Sequence, residues 1–242
     1  VTVGTTNLLA GESSFVPLGL VAGVPLTNVT FTLAVDEASL TNLVLQPSVA
    51  GLSSSSLERV ASNLFRLVFT TQPNAGLQGT QTLARLTFAT RAENNSAIVG
   101  LRTAQVTGIG ADGTVYDNGA GGWGRVFVIG EQPILADLER SASSVTLTLY
   151  GWPGQTYRVD SAGALTGALW REERTVTLNT TSRRLEALSA TEGVRFYRAV
   201  QVPGAGALTI YAAAGEQIIE WPVTRPNCVL EETSTLGAGG TW

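Results

Sequence analysis

The 242-residue chain contains no lysine, no histidine and no methionine, and it has a single cysteine. Without lysine it lacks an amine nucleophile, and without histidine it lacks the commonest general base and metal ligand near neutral pH. One cysteine excludes an internal disulfide. Schiff-base chemistry and histidine-based catalysis or metal binding are therefore excluded, and paired carboxylates are the catalytic option left. We expect a protein that is not an enzyme and that holds no cofactor.

The charge and hydropathy of the chain narrow its class further. Its formal net charge is -4, whereas a nucleic-acid-binding protein needs a basic surface that displaces counterions. Apolar residues make up 44% of the chain, enough for a real core, but no apolar run approaches the ~20 residues that span a bilayer. We expect no nucleic-acid partner and no membrane span. Low cysteine, methionine and lysine counts fit a protein outside the cell or at its surface.

Alternating apolar and polar residues predict β-strands throughout residues 1–130. The alternation is clearest at residues 16–20, 29–35 and 65–69, and it is the signature of strands with one buried face. Regular strands separated by serine-, glycine- and asparagine-rich turns favour an antiparallel sandwich. The pattern predicts further strands at 82–89, 98–106 and 125–129, turns at 51–56, 72–79 and 108–124, and at most a turn or two of helix at 36–40.

Three stretches of this first segment carry a family resemblance. They are residues 1–3 with Gly11 leading into residues 15–18, residues 31–36 followed by Leu40, and residues 83–88. In these stretches residues 1–130 resemble a cohesin. The resemblance implies a nine-stranded jelly-roll sandwich, a fold in which some cohesins bind dockerin modules through one sheet face. It does not identify binding residues, because the binding face of cohesins has no sequence motif that can be transferred residue by residue.

Residues 130–133 mark the natural boundary of the first segment, and residues 131–202 predict a second, smaller sandwich. Its strands are predicted at 134–138, 145–150, 156–160, 175–178, 184–188 and 194–202. The segment resembles the small immunoglobulin-like β-modules repeated near the ends of long secreted bacterial proteins, through Tyr157, Val159, Ser161, Leu165, Trp170, Phe196, Tyr197 and Arg198. Such modules belong to non-catalytic parts of a chain. We interpret the aromatic residues as core, because they supply most of the buried area in small sandwiches.

Residues 203–242 look like the first half of that module and predict a partial third β-module. Ordering about forty residues costs more free energy than the burial of roughly a dozen large apolar side chains returns. Either the chain is a piece of a longer one, or another chain completes this sandwich. Under the second alternative a strand from residues 1–9 is the candidate donor. The predicted interaction residues are then Val1, Val3, Ile218, Ile219, Trp221, Cys228, Leu230 and Trp242.

The remaining candidates for chemistry lie in polar turns. Carboxylate pairs at 36–37, 172–173 and 231–232 are sequence neighbours, and neighbouring side chains in a strand point to opposite faces, which argues against paired catalytic acids. Asp112, Asp117 and Asn118 are weak calcium candidates, because their oxygens suit calcium but their spacing does not match the twelve-residue calcium loop. Trp123, flanked by glycines, is the best candidate for stacking against a sugar ring.

Two functions agree with these observations. The first is a non-catalytic extracellular structural protein that self-associates through sheet edges or strand complementation into a filament or surface layer. The second is a cohesin-like binding module of a larger secreted protein, which recognises a dockerin-like protein or a polysaccharide. The incomplete module favours the first function, and the resemblance of residues 1–130 favours the second.

Overall fold

The computed structural model describes residues 1–92, 95–141, 144–189, 194–202, 209–213 and 216–220. Every helix or strand in these residues is a β-strand, which confirms the all-β class that the alternation predicts. The strands form one sheet of ten strands, two sheets of three and one of two. None of the described residues belongs to a helix long and apolar enough to cross a membrane.

The ten-stranded sheet occupies the first half of the chain. The long strand β3 pairs with β7 through its first half and with β6 and β8 through its second half, so the sheet folds into two layers. The back layer contains β4, β7, β1 and the first half of β3; the front layer contains β2, β10, β8, the second half of β3, β6 and β5, with β9 beside β8. The strands are β1 Thr2–Val3, β2 Thr6–Leu9, β3 Ser13–Ala34, β4 Leu40–Pro47, β5 Leu52–Ala61, β6 Leu64–Thr71, β7 Leu77–Thr90, β8 Ala97–Gly110, β9 Val115–Gly119 and β10 Trp123–Ile129.

The core of this first sandwich lies between its two layers. Phe31 and Phe69 of the front layer are fully buried, and so is Leu86 of the back layer. The two phenylalanine rings stack with their centroids 6.0 Å apart. Burial of each large apolar side chain stabilises the fold by about 2 kcal/mol. The inward residues are the apolar members of the alternating pattern, so the predicted period-2 burial is confirmed.

Two predicted turns in this region are wrong, because residues 108–124 contain β9 and residues 51–56 contain the start of β5. Residues 51–56 are predicted as a turn, but β5 begins at Leu52 and pairs with β6. Its run of serines hides the apolar–polar alternation, because an edge strand buries few side chains. Leu57 is one of the few apolar residues on its inner face. Residues 36–40 form a single tight turn, within the predicted limit of a turn or two of helix, since the amides of Ser39 and Leu40 both donate to the Asp36 carbonyl oxygen.

Residues 1–9 complete their own sandwich. β1 pairs with β3 antiparallel, β2 pairs with β10 parallel, and the side chains of Val3 and Leu8 are buried in the core. The Val1 amine donates to the Ala120 carbonyl oxygen at 2.8 Å. The expectation that this segment, with Val1 and Val3, serves as a donor strand for another chain is therefore corrected, because its apolar side chains already have a place to be buried.

Two three-stranded sheets, β11-β12-β15 and β14-β13-β16, form a second sandwich. Tyr157 is fully buried in its core, as predicted, with Leu149, Val159 and Leu185 around it. The other aromatic residues interpreted as core, Trp170, Phe196 and Tyr197, are only partly buried. Trp170 lies before β14 and packs under Arg198. The strands are β11 Ile134–Arg140, β12 Ser144–Tyr150, β13 Thr156–Ala162, β14 Arg171–Thr177, β15 Ser182–Ser189 and β16 Phe196–Gln201.

The C-terminal segment is described at two strands, β17 Thr209–Ala213 and β18 Glu216–Glu220. They pair antiparallel, with Ile210 opposite Ile219, and form a sheet separate from the others. Ile218 and Ile219 belong to β18. The other predicted interaction residues of this segment, Trp221, Cys228, Leu230 and Trp242, lie outside the described residues, and their contact with a partner stays a prediction.

Candidate docking face on the first sandwich

The front layer of the first sandwich presents a broad outer face. Its side chains come from the alternate, outward positions of four neighbouring strands, β8, β3, β6 and β5. In register, Thr32 lies between Ala104 and Arg66, and Thr30 lies between Thr107 and Val68. We call this surface the docking face, and its residues are Asn28, Thr30, Thr32, Ser54, Ser56, Glu58, Arg66, Val68, Thr70, Ala104 and Thr107.

Hydrogen bonds hold the centre of the docking face in place. The Asn28 side-chain amide donates to Thr70 Oγ1 at 3.0 Å, and Thr30 Oγ1 donates to Asn28 Oδ1 at 3.1 Å. Thr32 Oγ1 donates to the Ala104 carbonyl oxygen at 3.1 Å. Threonine and valine are also stiff at χ1 because they branch at Cβ. The face therefore has little side-chain freedom left to lose when a partner binds.

The docking face carries almost no net charge. Its charged residues are Arg66 and Glu58, which neutralise each other across β6 and β5 in an ion pair of 2.5 Å. Both side chains are about half exposed, so the pair contributes little to stability. Its other members are hydroxyl, amide and small apolar side chains that are partly or fully exposed. Such a surface suits recognition by shape and hydrogen bonding.

One end of the same layer is covered by the second sandwich. Phe127 of β10 also points outward, yet it is fully buried because its ring stacks on Tyr150, with centroids 4.1 Å apart. Trp152 Nε1 donates to the Gly130 carbonyl oxygen at 2.7 Å, and Thr181 Oγ1 donates to Asn7 Oδ1 at 2.5 Å. These contacts fix the second sandwich against β2 and β10 and leave the docking face open.

A charged group lies inside this junction. Asp137 of β11 pairs with Arg125 of β10 at 2.8 Å and accepts a hydrogen bond from the Tyr150 hydroxyl at 2.7 Å. Burial, and then the hydrogen bond to Asp137, raise the pKa of Tyr150 well above its ordinary value. The phenol therefore stays protonated, and the neutral hydroxyl remains a donor to Asp137.

The carboxylates of the second sandwich are used in ion pairs. Asp160 is almost fully buried and pairs with Arg158 at 2.8 Å and Arg198 at 3.1 Å. Glu173 accepts from Ser161 Oγ at 2.5 Å and pairs with Arg195 at 3.0 Å. Each carboxylate is matched by a cation, which offsets the cost of burying its charge. The buried Asp160 was not found from the sequence, since its burial depends on two arginines from different strands.

The sequence-predicted calcium candidates are not brought into a site. Asp112 accepts from the amide of Thr114 at 3.0 Å and from its hydroxyl at 2.8 Å, and these bonds lower the pKa of Asp112. Asp117 and Asn118 lie along β9. In the described ranges no three His, Cys, Asp or Glu side chains cluster in a way that could hold a metal ion. Asp112 is therefore a turn residue.

No protein-family model matches the sequence, and no curated protein matches it either. Similar solved structures are cohesins, the family that residues 1–130 resemble. They include the seventh ScaB type I cohesin of Pseudobacteroides cellulosolvens, at 19% identity and a TM-score of 0.44 over 58% of this chain and 95% of that one.

Two further solved structures of the same kind cover about half of this chain. The sixth scaffoldin B cohesin of Acetivibrio cellulolyticus, in complex with a Cel5 dockerin, is 13% identical with a TM-score of 0.45, over 52% of this chain and 97% of that one. The cohesin module of a Clostridium perfringens family 33 glycoside hydrolase is 10% identical with a TM-score of 0.45, over 50% and 89%. All three solved chains are therefore similar to part of this chain.

Proposed function

We propose that this chain is a non-catalytic protein-binding subunit, located outside the cell or at its surface, whose docking face binds a dockerin-like protein. The observation that carries the proposal is the docking face itself: four adjacent strands present an uncovered, nearly neutral surface of hydrogen-bonded hydroxyl and amide groups. Because the side chains are already ordered, binding costs little conformational entropy. A dockerin-like partner is chosen because residues 1–130 resemble a cohesin.

A bulky charge at the centre of the docking face tests this proposal. Val68 lies between Thr30 and Ser56 on the face, and Val68→Arg places a long cation where the partner must approach closely. We expect at least about a 30-fold loss of affinity, the size of a central interface residue's effect. The measurement is surface plasmon resonance of the whole chain against a panel of dockerin modules.

The matched control is Val44→Arg. Val44 belongs to β4 on the outer face of the back layer and is 51% exposed, so this change adds the same charge on the opposite side of the sandwich. We expect its affinity to stay within about twofold of the unmodified chain. Equal losses of affinity in both variants would show that the docking face is not the binding site. Failure of every dockerin to bind would show that the partner is not a dockerin-like protein.

A second candidate function is self-assembly, and the separate β17–β18 hairpin favours it. In the described residues each of these strands pairs only with the other, so within that part of the chain each has one open edge. An isolated two-stranded hairpin is marginally stable in water, and open edges are templates for a further strand. We propose that a strand from a second copy adds to this hairpin and builds a filament or surface layer.

Electron microscopy and light scattering test the self-assembly. The whole chain is expected to form larger particles as its concentration rises, and a chain ending at Val202 is expected to stay monomeric, because it lacks the hairpin. Monomeric particles of the whole chain at high concentration, or equal assembly by the shortened chain, would contradict strand addition at this hairpin.

A further inference from the structure

An exposed tryptophan lies at the start of β10, where β10 extends past its partner β2 and forms the edge of the front layer. Trp123 is 68% exposed, and on the neighbouring strand β8 it is paired with Arg102. The two residues line an open trough of about 720 Å³ with Thr103, Ala104 and four glycines. A large aromatic side chain beside a concavity of this size is typical of a ligand site. The trough borders the docking face and shares only Ala104 with it.

Gly100 leaves the floor of the trough open. A Cβ atom added at Gly100 would meet nothing within 4 Å, whereas one added at Gly121 would lie 2.1 Å from the Thr103 carbonyl oxygen. Internal packing therefore explains Gly121 but not Gly100. Gly100 is the register partner of Arg125, so the missing side chain uncovers the floor beside that arginine and the Trp123 ring.

Arg125 holds the tryptophan in position. Its guanidinium carbon lies 5.2 Å from the Trp123 ring centroid, a cation–π contact, and its Nη2 pairs with Asp137 at 2.8 Å. Because Asp137 belongs to the second sandwich, the junction fixes Arg125 beneath the indole. Arg102 forms no ion pair with the described residues. One guanidinium therefore supports the ring and the other is free to bind an anion.

We infer that this trough binds an acidic saccharide. One face of a pyranose ring packs against the exposed indole of Trp123, and the sugar carboxylate pairs with Arg102 in a charge-assisted hydrogen bond. Arginine favours carboxylates because its planar fork matches their geometry. We favour a saccharide over a protein as the ligand of Trp123, since the residues that dominate a protein interface gather near its centre, and Trp123 lies at the edge of the sheet. The inference does not depend on the proposed dockerin binding.

Titration of the whole chain with tetragalacturonate tests the inference. We expect saturable quenching of tryptophan fluorescence that weakens as salt is added, because the pairing with Arg102 is electrostatic. Trp123→Ala and Arg102→Gln should each lower the affinity at least about tenfold, as loss of a stacking or ionic contact does. Gly100→Leu should do the same by filling the trough, with no loss of thermal stability, because the position has space for a side chain.

Three comparisons make the result specific. Trp170→Ala removes a second Trp–Arg pair, with Arg198 4.3 Å from the Trp170 ring, and should leave the affinity unchanged. Val68→Arg should also leave it unchanged, which separates this site from dockerin binding. Neutral cellotetraose should bind at least about tenfold more weakly, because it lacks the charge that Arg102 binds.

Three results would overturn the inference. The first is no saturable binding of tetragalacturonate or of an alginate tetramer. The second is unchanged binding by Arg102→Gln or Gly100→Leu. The third is equally tight, competitive binding of tetraglutamate, which would reassign the trough to an acidic peptide.

Discussion

Gly151→Ala is expected to unfold the second sandwich while the first stays folded. A Cβ atom at Gly151 would lie 2.6 Å from Cζ and 2.7 Å from the hydroxyl of Tyr157. The Tyr157 ring cannot turn away, because it is fully buried and its oxygen accepts a hydrogen bond from the Trp152 amide at 2.8 Å. We expect a loss of about 3 kcal/mol from overpacking and the broken bond, a large part of the stability of a small domain.

Hydrogen exchange resolved by segment provides the measurement. Amide protection should fall in β11 to β16 and persist in β3, β6 and β7. Gly163→Ala is the control, since a Cβ atom there would meet nothing within 4 Å, and it should change protection little. If both sandwiches lost protection together, they would be one cooperative unit, and their division near residue 130 would be wrong.

Phe127→Ala is expected to destabilise the junction between the sandwiches. Phe127 is fully buried and stacks on Tyr150 at 4.1 Å between centroids, and removing a phenylalanine at such a site costs about 3–5 kcal/mol. The cavity would admit water next to the Arg125–Asp137 ion pair and weaken it. We expect the sandwiches to reorient independently.

Nuclear magnetic resonance relaxation measures that independence. In the unmodified chain the two sandwiches should share one rotational correlation time, whereas in Phe127→Ala the second sandwich should tumble faster. Phe15→Ala, at a phenylalanine that is 40% exposed on the back layer, should change neither sandwich's correlation time. Identical tumbling of Phe127→Ala and the unmodified chain would show that the other junction contacts are sufficient.

The sequence predicts the strands and the core better than it predicts the surfaces. Alternation in residues 29–35 identifies the buried Val29, Phe31 and Leu33, because burial of one face imposes a period of two. It also marks Thr30 and Thr32 as outward residues. It does not show which strands lie beside them, since cross-strand register depends on pairings between residues as distant as Thr32 and Ala104.

The sequence also contains a signal of the junction between the two sandwiches, which the strand prediction does not use. Residues 126–129 are a continuous apolar run, and such runs are typical of strands buried on both faces. Val126 and Val128 face the core of the first sandwich, whereas Phe127 and Ile129 pack with Tyr150 of the second. Trp123 was predicted as an exposed stacking residue from its glycine neighbours. Its proximity to Arg102 and Arg125 could not be predicted, because it depends on the register of β8 and β10.

The most direct measurement is the footprint of a bound dockerin on the whole chain by hydrogen exchange and chemical-shift mapping. We expect protection and shifts at the outward residues of β3, β6, β5 and β8, with Thr30, Thr32 and Val68 at the centre. A footprint confined to the back layer around Phe15 and Val44, with the docking face unperturbed, would contradict this expectation.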